Sequence, residues 1–356
     1  MRIGVDAREL GGRITGVGRY LGGLLREWTR DGGAAAHEFV LYAHAPIDAR
    51  VDAAGFTTRV IPGRGGTWWE QTALPRAAAG DRLDVFFAPA YSAPLSLDVP
   101  TVVAIHDVSF FAHPEWFGFR EGMRRRLVTG RSAARAAAVV TISEFSRDEL
   151  IERVGVPSAK IHVVPPGVEA NSLQPPASSP TVLFVGSIFN RRHVPALIRA
   201  FGELGRRHAA ASLDIVGDNR SHPREDIGRA IAAEGMNGRI RWHAYASDAD
   251  LHALYEGARA FAFLSEYEGL GLTPLEALAA GAVPVLLDTP VARESCGDAA
   301  LYVQLGDIAG TTRALELALF DEPTRARILS AAAGVLARYD WPTAARQTLG
   351  VLEGAA

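Results

Sequence analysis

The chain has 356 residues, 48% of them apolar and 22% charged, with a formal net charge of −3. That length suits two domains, each able to bury its own core, and the charge balance gives no footprint for a nucleic-acid partner. One cysteine, Cys296, excludes an internal disulfide framework and a thiolate metal cluster, and no apolar run approaches the ~20 residues of a membrane span.

The first residues, Met1-Arg2-Ile3-Gly4-Val5-Asp6, run straight into a strand. This predicts no signal peptide and a cytoplasmic location. Short apolar strands then alternate with helical stretches, the pattern of an α/β protein with parallel sheets. In the first half, strands are expected at Ile3–Ala7, Phe39–Ala43, Thr58–Ile61, Val85–Ala88, Val102–Ile105 and Val139–Ile142. Helices are expected through Tyr20–Trp28, Glu121–Ala136 and Ser146–Arg153.

Behind the first strand, Thr15-Gly16-Val17-Gly18-Arg19-Tyr20 offers glycines that could bring backbone amides to a phosphate at the start of the Tyr20 helix. A dinucleotide fingerprint would need its third glycine one place earlier than Gly22 and a shorter loop. On the residues alone, a structural turn is the stronger reading. Trp68-Trp69, expected in a loop after Gly65-Gly66, could stack on an acceptor sugar or simply pack. His106-Asp107 follows a strand. A histidine there can bond a sugar hydroxyl or assist proton movement, although on the residues alone a loop histidine bonded to backbone is the stronger reading; Asp107 would fix the loop or the His106 tautomer. Arg120, Arg124, Arg125, Arg126, Arg131 and Arg135 load one helix. Such a stretch can lie on anionic lipid, although a solvated face is commoner.

Asn171–Pro180 is aperiodic and rich in turn formers, so it reads as a linker. A second α/β series follows, with strands expected at Val182–Gly186, Leu213–Gly217, Ile240–His243, Ala260–Leu264, Val283–Leu287 and Leu301–Val303. Arg191-Arg192 lies in its first strand-to-helix loop and suits a diphosphate, since each guanidinium can bind bidentately, although most such pairs are solvated basic loops. Asp248-Ala249-Asp250 could suggest a metal site, but with Ser247 it reads as the start of the Leu251–Glu256 helix. The most informative segment is Ser265-Glu266-Tyr267-Glu268-Gly269-Leu270-Gly271-Leu272-Thr273-Pro274-Leu275-Glu276. It joins a strand to a helix, with Thr273, Pro274 and Glu276 in capping-box register. A glycine turn at a helix N-terminus is a ready anion site, and two carboxylates beside it suit a ligand with phosphate and many hydroxyls. Equally, Glu276 could be only a cap and Glu268 a solvated turn residue.

Glu268 and Glu276 enclose seven residues, and the extended segment with Ala279-Ala280-Gly281-Ala282-Val283-Pro284-Val285 resembles the signature of GT-B glycosyltransferases of the retaining family 4. Asp6-Ala7-Arg8 followed by the Gly16 loop is similar to that family's N-terminal pattern, and the resemblance covers nearly the whole chain. It implies two Rossmann-like doubly wound domains facing a central cleft: residues 1–170, a linker at 171–180, residues 181–338, and a crossover helix at 339–356 returning to the first domain. It also implies a metal-independent enzyme, without cofactor, that retains anomeric configuration. The reaction would move a hexose, here read as mannose from GDP-mannose, to a glycan, lipid-linked or small-molecule acceptor.

By resemblance, Gly16, Gly18, Arg191 and Arg192 hold the donor diphosphate and Glu276 bonds the ribose. Glu268, Gly269, Leu270, Gly271 and Leu272 hold the transferred sugar, which His106 contacts from the first domain. His106, Glu268 and Arg192 are thus nearest the chemistry. The chain departs from the family in three places: Arg192 stands for a lysine, His193 for Asn or Gly, and Ser187 for an arginine of many relatives. Three questions stay open. They are peripheral membrane contact through the Arg120–Arg135 helix, a sugar-nucleotide epimerase of similar architecture, and a Rossmann-type oxidoreductase.

Overall fold

The computed structural model describes residues 1–12, 16–32, 36–51, 53, 55–169, 179–236 and 238–356. All but Ser179 and Pro180 of the expected linker lies outside the described residues. The chain forms two compact units, residues 1–167 with 339–356, and residues 168–338.

The first unit is built on seven parallel strands: β1 (Arg2–Asp6), β2 (Glu38–Ala43), β3 (Thr57–Val60), β4 (Val85–Ala88), β5 (Thr101–Ala104), β6 (Ala138–Thr141) and β7 (Ile161–Val163). Their order is β3-β2-β1-β4-β5-β6-β7. The inner strands read as unbroken apolar runs because helices cover both faces of a parallel sheet; all four residues of β4, Val-Phe-Phe-Ala, are buried. The final helix, Trp341–Ala355, belongs to this unit. Asp340 caps it by accepting from the Thr343 amide at 2.9 Å. Ala344, Ala345 and Leu352 of this helix join the core, and Trp28 Nε1 donates to the Ala345 carbonyl at 2.9 Å. The Trp341 indole lies so close to Gly23 and Gly167 that a Cβ on either would come within 2.5 Å and 2.2 Å of it.

The second unit has six parallel strands: β8 (Thr181–Val185), β9 (Ser212–Val216), β10 (Ile240–His243), β11 (Ala260–Phe263), β12 (Val283–Leu287) and β13 (Leu301–Val303). Their order is β10-β9-β8-β11-β12-β13. In each sheet the chain starts in the middle, runs to one edge and returns to the other side. The order therefore reverses between β1 and β4, and again between β8 and β11. Loops at the carboxyl ends of such neighbours splay apart and leave the crevice where open α/β sheets bind ligands. No helix among the described residues is long and apolar enough to cross a membrane.

Strand expectations hold within a residue at each end, and helix starts differ more. The first helix begins at Gly16, so Gly16 and Gly18 lie in its first turn; Thr15 is outside the described residues. The arginine-rich helix runs Phe119–Arg135. The Ser146 helix starts at Glu144, where Ser143 accepts from the Ser146 amide. Trp68 and Trp69 are in the first turn of a helix, Gly66–Ala78, where a loop was expected. Its apolar periodicity is weak, and tertiary burial decides it. Trp69 is buried with Nε1 donating to the Ile61 carbonyl at 2.9 Å, while its neighbour, rotated by about 100° on the helix, faces outward.

Candidate active site

In the second unit the loops after β8 and β11, on either side of the reversal, are locked together by one ion pair. Arg192 ends a short 3-10 turn, Asn190–Arg192. Its Nε donates to Glu268 Oε1 at 2.7 Å and its Nη2 to Oε2 at 3.0 Å. Nη1 donates to the Ser187 carbonyl at 2.9 Å, and the guanidinium stands over the Phe263 ring at 4.9 Å. A guanidinium has five N–H groups; these three bonds leave two for a ligand. Ser265 Oγ also donates to Glu268, at 2.8 Å. Burial pushes the Glu268 carboxyl up, but the Arg192 charge and hydrogen bonds, with Arg191 nearby, outweigh it and hold the group below its ordinary value. Glu268 is therefore an ionised, oriented acceptor, where a solvated turn residue had been the alternative.

A second tie runs beside the first. The Glu266 amide donates to the Arg191 carbonyl at 3.0 Å, and His193 Nε2 donates to Glu266 Oε1 at 2.6 Å. His193 sits at φ 47°, ψ 38°, the left-handed region that Asn and Gly enter most readily. The residue types that resemblance leads one to expect here are thus explained by backbone geometry, and the Glu266 bond offsets the strain of a histidine. Ser187, where many relatives carry arginine, donates to Asp218 Oδ1 at 2.8 Å. Arg191 stacks on Phe189, its guanidinium 4.3 Å from the ring centre.

The helix after β11 runs Leu272–Ala279 with Gly271 as N-cap at φ 93°. This corrects the capping box: Thr273 lies inside the first turn, because the left-handed glycine turns the chain into the helix earlier than a Thr cap would. A glycine cap brings no side-chain acceptor to the helix start. Glu276 accepts from Tyr255 Oη at 2.8 Å. Tyr255 comes from the Asp248–Glu256 helix, which Ser247 caps by accepting from the Asp250 amide. The Leu270 side chain is buried, so Leu270 can offer a ligand only its backbone, as Gly269 and Gly271 do. Leu272 opens the helix beside them.

In the first unit, His106 follows β5 and is buried. Its Nε2 lies 2.8 Å from the Pro89 carbonyl. A carbonyl can only accept, so Nε2 carries the proton. Burial holds the imidazole pKa below its usual value despite that bond and the Asp107 charge, so the ring is neutral and Nδ1 is an acceptor. Asp107 does not set this tautomer. It accepts from the Ser109 amide at 2.9 Å and from Tyr91 Oη at 2.8 Å, fixing the loop. Tyr91 itself is at φ 66°, a left-handed tyrosine at the end of the strand next to the reversal.

Behind these loops, Arg8 is buried between two carboxylates, Glu70 at 2.7 Å and Asp6 at 3.2 Å. Glu70 also accepts from Ser92 Oγ at 2.7 Å. One guanidinium cannot neutralise two buried carboxylates, and Glu70 has the shorter bond. Desolvation therefore pushes Asp6 up to about 6, against the pull of Arg8. A carboxyl raised on folding favours the protonated native state. Its contribution to stability should fall as pH rises from the ordinary carboxylate range to about 6, by at most ~1.4 kcal/mol per pH unit. Urea midpoints of wild type and Asp6→Asn across that window should diverge on this slope; parallel curves would show Asp6 ionised throughout.

Sequence reasoning missed Ser265, Tyr255, Tyr91 and the Arg8–Glu70 pair. Ser265 holds Glu268 three residues on; the others hold a neighbour across 16 to 62 residues of chain, where no local pattern marks such partners.

The architecture is shared with the crystal structure of Anabaena HepE in complex with UDP and glucose, at a TM-score of 0.76 and 18% identity over 99% of both chains. The fold is GT-B, the two-sheet fold of a large class of glycosyltransferases. Within that class, the profile of Glycosyltransferase Family 4 matches residues 14–172 and that of Glycosyl transferases group 1 matches residues 168–334. The chain belongs to this family of glycosyltransferases. Among its relatives, O-antigen chain mannosyltransferase B of Escherichia coli is 24% identical over 278 residues, covering 74% of this chain and 73% of that protein. The GDP-mannose:cellobiosyl-diphosphopolyprenol alpha-mannosyltransferase of Xanthomonas oryzae is 27% identical over 249 residues. That alignment covers 68% of this chain and, at 64%, just under two thirds of the relative.

Proposed function

We propose that the protein transfers mannose from GDP-mannose to a growing glycan or lipid-linked acceptor, with retention of anomeric configuration and without a metal or other cofactor. The Arg192–Glu268 pair carries the reading. It presents a fixed cation for a departing diphosphate beside an ionised acceptor for sugar hydroxyls, joined across a sheet reversal. The two remaining Arg192 N–H groups, Arg191 and the amides at the Leu272 helix start bind the diphosphate. They stabilise its charge as the glycosidic bond breaks, the role a metal has elsewhere. Glu276, oriented by Tyr255, bonds the ribose, and His106 accepts a sugar hydroxyl at Nδ1. No protein general base is assigned: in same-face attack the leaving phosphate takes the acceptor's proton, consistent with a neutral His106 whose Nε2 is engaged. Mannose is supported by the names of both mannosyltransferase relatives, and GDP-mannose as donor by the name of the second.

A thermal-shift panel of GDP-mannose, UDP-glucose, dTDP-glucose and NADH separates these readings. A ligand at 100 times its Kd stabilises by about 2.7 kcal/mol. The expected result is the largest shift with GDP-mannose, followed by EDTA-resistant formation of an α-linked product by NMR. A shift with UDP-glucose alone would replace the donor, and a shift with NADH alone would replace the reaction class. Activity lost to EDTA and restored by magnesium would overturn metal independence.

A further inference from the structure

We propose that Tyr91 is a positioning residue that holds the His106 imidazole in one tautomer and one orientation, through the turn Pro89-Ala90-Tyr91-Ser92. The proposal rests on the reading of His106 as an acceptor for a hydroxyl of the transferred sugar. The turn leaves β4 and is tied to the end of β5 and the residues after it by three hydrogen bonds. The Pro89 carbonyl accepts from His106 Nε2 at 2.8 Å, the Tyr91 amide donates to the Ala104 carbonyl at 2.9 Å, and Tyr91 Oη donates to Asp107 Oδ2 at 2.8 Å. The far end is anchored by Ser92 Oγ, which donates at 2.7 Å to Glu70, a buried carboxylate itself held by Arg8.

Tyr91 sits at φ 66°, a conformation that crowds the β-carbon of any residue but glycine. For the backbone alone, glycine would serve better. What a tyrosine adds there is its side chain. The ring meets His106 edge-on, with centroids 5.5 Å apart and planes at 78°. Tyr20 meets the same imidazole at 4.8 Å and 75°, so two aromatic neighbours restrict it. The His106 backbone is fixed separately, since its carbonyl accepts from Ser146 Oγ at 3.0 Å. What remains to be set is the rotation of the ring and the place of its proton. A carbonyl only accepts, so Pro89 admits the Nε2–H tautomer and leaves Nδ1 as the acceptor. The other tautomer would set a lone pair against the Pro89 oxygen at a buried site, where an unmade hydrogen bond is costly. The bonds that place this carbonyl also keep the strained turn, a pattern of strain stored beside a functional group.

The test is long-range proton–nitrogen NMR correlation of the full chain labelled at its histidine nitrogens, with His106→Gln used only to assign the signal. In wild type, His106 should be neutral with its proton on Nε2. Tyr91→Gly relieves the backbone and removes the ring and hydroxyl. It should fold, move the Nδ1 shift toward a mixture of tautomers, and lower kcat with the donor selected by thermal shift. The expected loss is about 10- to 100-fold, the scale for misplacing a substrate-contacting group by about 1 Å. Tyr91→Asn also enters the left-handed region readily, so it should do the same and serves where glycine fails to fold. Tyr91→Phe keeps the ring and should retain the tautomer and most of the turnover. An undisturbed His106 signal in the folded glycine or asparagine variant would overturn the proposal at any turnover, as would a wild type protonated at Nδ1. A disturbed tautomer with unchanged turnover would uphold the positioning role and remove His106 from the sugar instead.

Discussion

Arg192→Ala is expected to lower turnover by about 100-fold or more, the cost of removing a fixed donor from a charge that develops in the transition state. The same change strips Glu268 of its two shortest charged contacts, at 2.7 Å and 3.0 Å. Because both side chains keep some solvent contact, the stability loss should be about 2 kcal/mol, below that of a fully buried pair. The two effects have different signatures. The Glu268 carboxyl is held below its ordinary value in the native state. Its stabilisation is therefore complete at neutral pH and lost as pH falls through the carboxylate range. In Arg192→Ala that acid limb should flatten, as read by urea midpoints against pH. Lysine at 192 keeps the charge without the bidentate fork, so it should recover part of the turnover. Near-normal turnover in a folded alanine variant would reduce Arg192 to a support for Glu268.

Glu276→Ala is expected to weaken donor binding by about 10- to 100-fold, the range for losing a hydrogen bond to a charged group. Stability should fall by about 1 kcal/mol, for the lost Tyr255 bond. Gly271, not Thr273, is the helix N-cap. Tyr255→Phe is the informative companion. It removes the bond that aims the carboxylate and keeps the carboxylate itself, so the stability loss should match while the affinity loss is smaller. Titration calorimetry with GDP-mannose reads both. Unchanged affinity in Glu276→Ala would make the residue a structural group with no part in donor binding.

The Arg192 prediction depends on a contact that spans 76 residues of chain, and that distance marks where sequence reading ends. Sheet strands such as β4 and β12 were legible to the residue, because burial on both faces demands an unbroken apolar run and the bounding turn residues stop it. The nearness of glycines, a helix start and two carboxylates was legible from the Ser265–Glu276 segment, since groups so close in sequence must lie close together. Helix starts were less so: Gly271 preceded Thr273 as the cap, and the Trp68-Trp69 pair proved helical, because the backbone dihedral of one glycine or the burial of one indole outweighs local propensity. Ionisation states and orientations were not in the sequence at all. Whether Glu268 is a solvated turn residue or a paired acceptor, which nitrogen of His106 bears the proton, and which of two buried acids yields to Arg8 each depend on desolvation and on partners brought near by folding. Composition and local pattern determined the α/β fold class, and the reaction class came from the resemblance of the Ser265–Glu276 segment to a known family; the electrostatics arose only when loops distant in sequence met at the reversal within each sheet.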